Sequence, residues 1–391
     1  MSGSHCARRA LAGALLTAAI AGGCGKDAAQ PPGGTQPGAG GAGGSGSAGA
    51  PDDGEVSTPP APPYEVEAFA KARITSDASQ PNFQQVNAEL ELRDGPFASV
   101  RLVVDLETTC YPFESWQDNP PPEGESWPAD CDAFDRNFEL SLDDPEDPAV
   151  GPPGIELVRA ITPFGGPLHL EVDITDVANG LAAGKHRLRA VIPTWSDASG
   201  QVSGSNGGWN VSAVIEAVPG PPPRKVLAVI PLFNGSQTTA DGPGPLAVRV
   251  PEGTVSSRVE YRVTGHGGGD SGSGCIGPAE EFCRRYHTIL VDGGPLDKIS
   301  PWRTDCEVLC TRMHQGPADG GFDYCLENPC GAIESVEASR ANWCPGSESP
   351  PFTWDAEPLR APGEHTLAWR ISTVAEGGVW RISATYFAFG E

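Results

Sequence analysis

"SVRLVVDLET", residues 99–108, sets the class of fold. Val100, Leu102, Val104 and Leu106 fall on one face of an extended chain; Arg101, Asp105 and Glu107 fall on the other with Val103. Apolar and polar residues alternating with period two are the mark of a half-buried strand. Outward from it, "LHLEVDITDV" (168–177) alternates through Leu168, Leu170, Val172 and Ile174, and "HRLRAVIPTW" (186–195) is a further strand. "HTLAWRISTV" (365–374) and "WRISATYFAF" (380–389) flank Glu376-Gly377-Gly378 and read as a closing hairpin. No long segment has the helical period. With 50 glycines and 40 prolines to punctuate short strands, the pattern predicts an all-β chain of sandwich or jelly-roll type.

The organisation follows from composition. Arg8 and Arg9 precede the apolar run "ALAGALLTAAIAGGC" (10–24), which is too short to span a bilayer comfortably and ends in small residues. Residues 1–23 are therefore expected to be an export signal. The run resembles a bacterial lipoprotein signal, with Cys24 the acylated residue; a plain secretory signal is the alternative. Residues 24–63 are Gly/Pro/Ala/Ser-rich and read as a tether with almost nothing to bury. "PGPPPRK" (219–225) cannot sit in a central strand, and "VLAVIPLF" (226–233) opens a second apolar series. Two β domains are expected, 64–220 and 221–391. The net charge of -25 argues against nucleic acid or anionic lipid as a partner and favours neutral ligands such as glycans and peptides.

Nine cysteines lie beyond the signal region: Cys110, Cys131, Cys275, Cys283, Cys306, Cys310, Cys325, Cys330 and Cys344. In an exported β protein they are expected to form disulfides rather than a zinc site. "CTRMHQGPADGGFDYCLENPC" (310–330) reads as an aperiodic surface insertion stapled by sulfur. The histidines are scattered, and Met313 is the only methionine beyond Met1, so no metal site is expected and no cofactor is assigned.

"PAEEFCRRYHTILVDG" (278–293) concentrates chemistry: Glu280, Glu281, Cys283, Arg284, Arg285 and His287. A Cys283–His287 dyad fails on spacing. In a strand, residues four apart stand about 13 Å from one another, too far for proton transfer. Carboxylates remain. Asp135 follows Cys131 by four residues in "CDAFDRNF", and Glu281 precedes Cys283 by two. The residues alone reach as far as an exported two-domain β protein with a candidate carboxylate site.

Four stretches, in order, resemble the peptide:N-glycosidase F family, bacterial enzymes that remove N-linked glycans from asparagine. "CDAFDRNF" (131–138) is similar to the family's Cys-Asp-x-aromatic-Asp-Arg run. "ITPFGG" with "LEVDITDV" is similar to its Ile-Thr-Pro-aromatic segment and following strand. "EFCRRYHTI" (281–289) resembles Glu-Trp-Cys-x-Arg-x-His-Thr-Ile, and "SRANWCPG" (339–346) resembles Asp-Arg-Ala-Gly-Trp-Cys-Pro-Gly. The resemblance implies two side-by-side antiparallel jelly rolls over residues 64–391. It implies Asp135 and Glu281 as catalytic carboxylates facing each other, with Arg136 and Arg340 hydrogen-bonding sugar and peptide. Phe134 and Trp195 would be aromatic walls, with His266 at the position of a substrate-side tryptophan. It also implies the pairs Cys110–Cys131 and Cys275–Cys283, with Cys306 and Cys344 further disulfide candidates in a loop whose map stays open.

The implied activity is hydrolysis of the amide between asparagine and the first N-acetylglucosamine. It would act on N-linked glycoproteins or glycopeptides as a monomer, with no metal and no cofactor. The sequence departs from the family at Pro193, where a further active-site glutamate is expected, and at Phe282, where tryptophan is expected. Two other readings follow: a glycan- or protein-binding lipoprotein with altered catalysis, and a copper-dependent monooxygenase on the same two-jelly-roll architecture. Sparse histidines oppose the latter.

Overall fold

Alternation at 99–108 becomes the strand Phe97–Glu107, whose Val100, Leu102, Val104 and Leu106 are all within 1% of full burial. The computed structural model describes residues 61–145, 151–194, 207–269, 275, 277–317 and 320–391. The signal, nearly all of the tether, Cys24 and Trp195 lie outside the described residues. Among those described, the longest α-helix is the six-residue Thr175–Gly180, strands dominate, and the named strands pair antiparallel.

Strands from 64 to 219 form two sheets. One has the order Tyr64–Thr75, Gly208–Pro219, Phe97–Glu107, Leu168–Asp173; the other has Gln85–Leu92, Gly184–Val191, Asn137–Leu142, Ile155–Ile161. Strands from 226 to 389 repeat both orders. Val226–Gln237, Gly378–Phe389, Ser256–Gly267 and Phe352–Trp354 form one sheet; Leu246–Val250, Gly363–Ile371, His287–Val291 and Gly294–Ile299 form the other. Each pair of sheets encloses its own apolar core, the first around Trp209, Phe138 and Ile215, the second around Trp369, Trp380 and Tyr261. Two jelly-roll sandwiches of identical strand order therefore lie in one chain.

A small motif marks the repeat. Ala182-x-Gly184-x-His186-x-Leu188 recurs as Ala361-x-Gly363-x-His365-x-Leu367. His186 places Nδ1 2.6 Å from Asp143 Oδ2 and Nε2 2.9 Å from the Ala182 carbonyl. His365 does the same at 2.8 Å from Asp292 Oδ2 and 2.9 Å from the Ala361 carbonyl.

Three expectations change. The strands Gly363–Ile371 and Gly378–Phe389 exist, but they do not form a hairpin: they lie in opposite sheets and pair with other strands. The connection is an arch, held where the Ala375 N–H donates to Glu280 Oε1 at 2.8 Å, so that Trp369 and Trp380 enter one core from two sides. The strand at 168 stops at Asp173, because Asp173 Oδ1 accepts from the Thr175 N–H at 2.8 Å and turns the chain into a helix. The insertion at 310–330 is not aperiodic. Arg312–Gln315 pairs with Phe322–Cys325, and Phe322 and Tyr324 pack edge-on against Phe113 of the first sandwich.

Among the described residues, four disulfides join Cys110–Cys131, Cys275–Cys283, Cys306–Cys344 and Cys310–Cys325. They fit an exported protein. The sandwiches are tied together by more than the linker. Ser347–Glu348 adds to Ile155–Ile161 of the first sandwich. Arg381 forms an ion pair with Glu139, and fully buried Arg159 holds Glu156 at 2.8 Å while donating to the Arg381 carbonyl.

Candidate active site

Asp135 sits in the loop that enters the strand Asn137–Leu142, and the loop has little freedom. Cys131 is bonded to Cys110. Asp132, fully buried, receives Arg136 Nε at 3.1 Å and the Phe134 N–H at 3.2 Å. The Arg136 N–H donates to Thr162 Oγ1 at 2.8 Å. These bonds leave the Asp135 carboxylate facing the seam between the sandwiches.

Glu281 comes from the second sandwich, on the single helical turn Ala279–Phe282. The Cys275–Cys283 disulfide closes that turn, and the Ala341 N–H donates to the Glu281 carbonyl at 2.9 Å. Its Oε1 accepts from the Gly267 N–H at 3.0 Å. Gly267 adopts φ +65°, which suits glycine and turns its N–H toward the carboxylate.

Arg340 is bonded to Asp135. Its Nη1 donates to Asp135 Oδ2 at 3.2 Å, and Nη2 donates to the Ser335 carbonyl and hydroxyl. The guanidinium lies over Trp343 at 4.4 Å and Phe282 at 5.1 Å, with the side chain 1% exposed. Trp343 is fixed by its Nε1 donating to the Gly265 carbonyl at 2.8 Å and stacks on His266 at 5.4 Å.

Asp135, Arg136, Asn137, Ile161, His266, Glu281 and Trp343 line one polar cavity of about 70 Å³, room for a few water molecules. Burial raises the Asp135 pKa, and the Arg340 and Arg136 charges oppose that rise. Burial, and then the neighbouring Asp135 charge, push the Glu281 carboxyl up to about 7. Two carboxylates in one buried polar site, both with raised pKa, offer groups for proton transfer. Burial holds His266 down to about 3, so it is neutral at ordinary pH, with Nε2 2.8 Å from Thr264 Oγ1. Asn137 Oδ1 is buried and has no hydrogen-bond partner among the described residues. It is an acceptor lining the cavity.

The expected residues are distributed as follows. Asp135, Arg136, Glu281 and His266 meet in the cavity. Arg340 touches it through Asp135. Phe134 stacks under Arg136 at 5.0 Å, beside the cavity. Pro193 is exposed and does not line it. Cys283 is in a disulfide, and His287 is in the core, its Nδ1 2.9 Å from the Tyr261 hydroxyl, so the two form no dyad. Glu280 is spent on structure, binding Arg285 and the Trp380 indole N–H at 2.6 Å. Sequence reading did not single out Trp343, Asn137 or Ile161. Trp343 stood inside the quoted "SRANWCPG", and Asn137 directly follows Arg136.

Residues 235–386 match the family model described as Peptide-N-glycosidase F, C terminal. The chain resembles the peptide:N-glycosidase F family. Its fold matches PNGF-II with TM-score 0.62 at 18% identity, covering 84% of this chain and 65% of that one, so it spans less than two thirds of PNGF-II. It matches a peptide-N(4)-(N-acetyl-β-D-glucosaminyl) asparagine amidase with TM-score 0.58 at 18% identity, covering 84% and 96%. It matches PNGase F, a glycosylasparaginase from Flavobacterium meningosepticum, with TM-score 0.60 at 17% identity, again covering 84% and 96%. No curated protein sequence matches. At these identities the solved structures establish the two-sandwich fold.

Proposed function

We propose that the chain is an exported glycoamidase that hydrolyses the amide bond between asparagine and the first N-acetylglucosamine of N-glycans. The observation that carries this reading is that Asp135 and Glu281, from different sandwiches, line one polar cavity with Arg340 bonded to the former.

The chemistry fits the groups. An unactivated amide needs a carboxylate to orient and deprotonate water, and a second group to handle the proton. Asp135, held by Arg340, is the base. Glu281, with a carboxyl that titrates near 7, carries the proton to the departing nitrogen. Water oxygen bonds to the amide carbon, the C–N bond breaks, and the products are an aspartate and a glycosylamine. Arg340 and Arg136 supply positive charge beside the developing oxyanion. Asn137 Oδ1 and His266 supply neutral polar groups for sugar hydroxyl and acetamido groups.

The test uses a denatured N-glycoprotein incubated with the ectodomain, with and without chelator. Free glycan with conversion of asparagine to aspartate, insensitive to chelator and lost in Asp135→Asn, supports the reading. Retained glycan binding without release favours a binding protein on the same fold.

A further inference from the structure

The seam between the sandwiches holds a second cavity that the amidase chemistry does not use. The strands Ile155–Ile161 and Ser256–Gly267 run past both. The first cavity takes Ile161 and His266 from them; the second takes Ile155 to Leu157 from one and Arg258, Glu260 and Arg262 from the other. Leu157 and Ile161 are four residues apart, about 13 Å along a strand. The second cavity, about 260 Å³, is several times larger than the first.

Its polar groups are dense and mostly paired with one another; the exposed carboxylate Asp173 has no ion pair among the described residues and accepts from Thr175. Asp176 pairs with Arg258 at 2.6 Å and Arg224 at 2.5 Å. Glu260 pairs with Arg262 at 2.8 Å and Arg258 at 2.9 Å. Glu156 is held by Arg159 from behind. An anionic ligand entering here must break one of these pairs, because every lining arginine is already paired. An uncharged polyhydroxyl ligand breaks no pair, because it can add bonds to the carboxylates and guanidinium groups that line the cavity. Two guanidinium Nε–H groups in the lining, those of Arg258 and Arg262, have no hydrogen-bond partner among the described residues. Arg262 is 7% exposed; its Nη1 serves Glu260 and its Nη2 the Leu157 carbonyl, while its Nε has no partner among the described residues. A buried guanidinium N–H without an acceptor is costly unless a ligand or water supplies one.

We propose that this cavity is a second saccharide site, which binds a neutral sugar ring between the two sandwiches and is separate from the cavity that holds Asp135 and Glu281. The site stands whether or not the first cavity is an amidase.

Isotope-labelled mature protein is titrated with methyl α-mannoside and with N,N′-diacetylchitobiose while the Arg262 Nε–H and Thr353 amide signals are followed by NMR. Acetate, phosphate and glycerol are titrated in parallel. At least one saccharide is expected to shift both signals saturably. Thr353→Trp, which fills the cavity from an exposed wall position without touching an ion pair, is expected to weaken that binding by about tenfold or more with an unchanged melting temperature. No shift with either saccharide overturns the proposal, as does equal binding by Thr353→Trp. A response to acetate or phosphate alone would make it an anion site, and an equal response to glycerol would leave only unspecific polyol binding; each overturns it too.

Discussion

Arg340 Nη1 donates to Asp135 Oδ2 at 3.2 Å across a sequence separation of 205 residues. The bond joins a loop of the first sandwich to the segment that follows the short helix Ile333–Glu337 in the second half of the chain. Burial raises the pKa of this carboxylate, and the Arg340 charge opposes that rise. Asp135→Asn is therefore expected to keep the fold and lower glycan release by about 10²–10⁴-fold, the usual worth of a positioned general base. Single-turnover release assays measure this. Circular dichroism checks the fold.

Arg340→Met leaves Asp135 facing an apolar side chain. Losing one partner of a buried pair costs about 3–5 kcal/mol, and the 21% exposure of Asp135 places this case near the lower end. The double variant Asp135→Asn/Arg340→Met is expected to recover part of that loss, because no charge is then stranded. Urea unfolding of the four proteins gives the coupling directly.

Glu281 titrates at about 7 in the folded chain, above its ordinary 4.5. A raised carboxyl favours the folded state while protonated. Its contribution is complete below about pH 4.5 and is lost as pH rises through about 7. Glu281→Gln has no such loss. Its melting temperature relative to the parent should rise between about pH 5 and about pH 8, while activity falls at both. A gap that does not change with pH would remove Glu281 from the proton-carrying role.

His365 directs Nδ1 at a carboxylate and Nε2 at a carbonyl, both of them acceptors. Only the imidazolium donates to both. The Asp292 hydrogen bond raises its pKa. The stabilisation is full below the ordinary value of about 6.5 and disappears as pH rises through the folded value. His365→Gln should therefore cost more stability at about pH 5.5 than at about pH 8.5, as thermal melts at the two pH values would show.

Cys24 lies outside the described residues, and its acylation is a proposal from the apolar run before it. Cys24→Ser is expected to move the protein from the membrane fraction to the soluble one, read by fractionation and immunoblot. Unchanged fractionation would favour a plain secretory signal.

Much of this molecule was legible in one dimension. Period-two alternation identifies Phe97–Glu107, Leu168–Asp173 and Gly184–Val191 because a pleat sends alternate side chains to opposite faces whatever the strand pairs with. The four motif stretches located Asp135, Glu281 and Arg340. Pairing partners were not legible. Gly363–Ile371 and Gly378–Phe389 carry every local sign of a hairpin, yet burying Trp369 and Trp380 in one core from opposite sheets outweighs pairing with each other. The insertion looked aperiodic because its order comes from Phe113, 209 positions before Phe322 in the chain (322 − 113).

Residue pattern, composition and cysteine content determined the all-β class, because these depend only on neighbours along the chain and on local backbone geometry. Tertiary structure decided that Glu281 lies beside Asp135, that its carboxyl titrates near 7, and that Trp343 and Asn137 complete the cavity. Each of these depends on distance and solvent exclusion between segments that meet only after two sandwiches close on a shared seam.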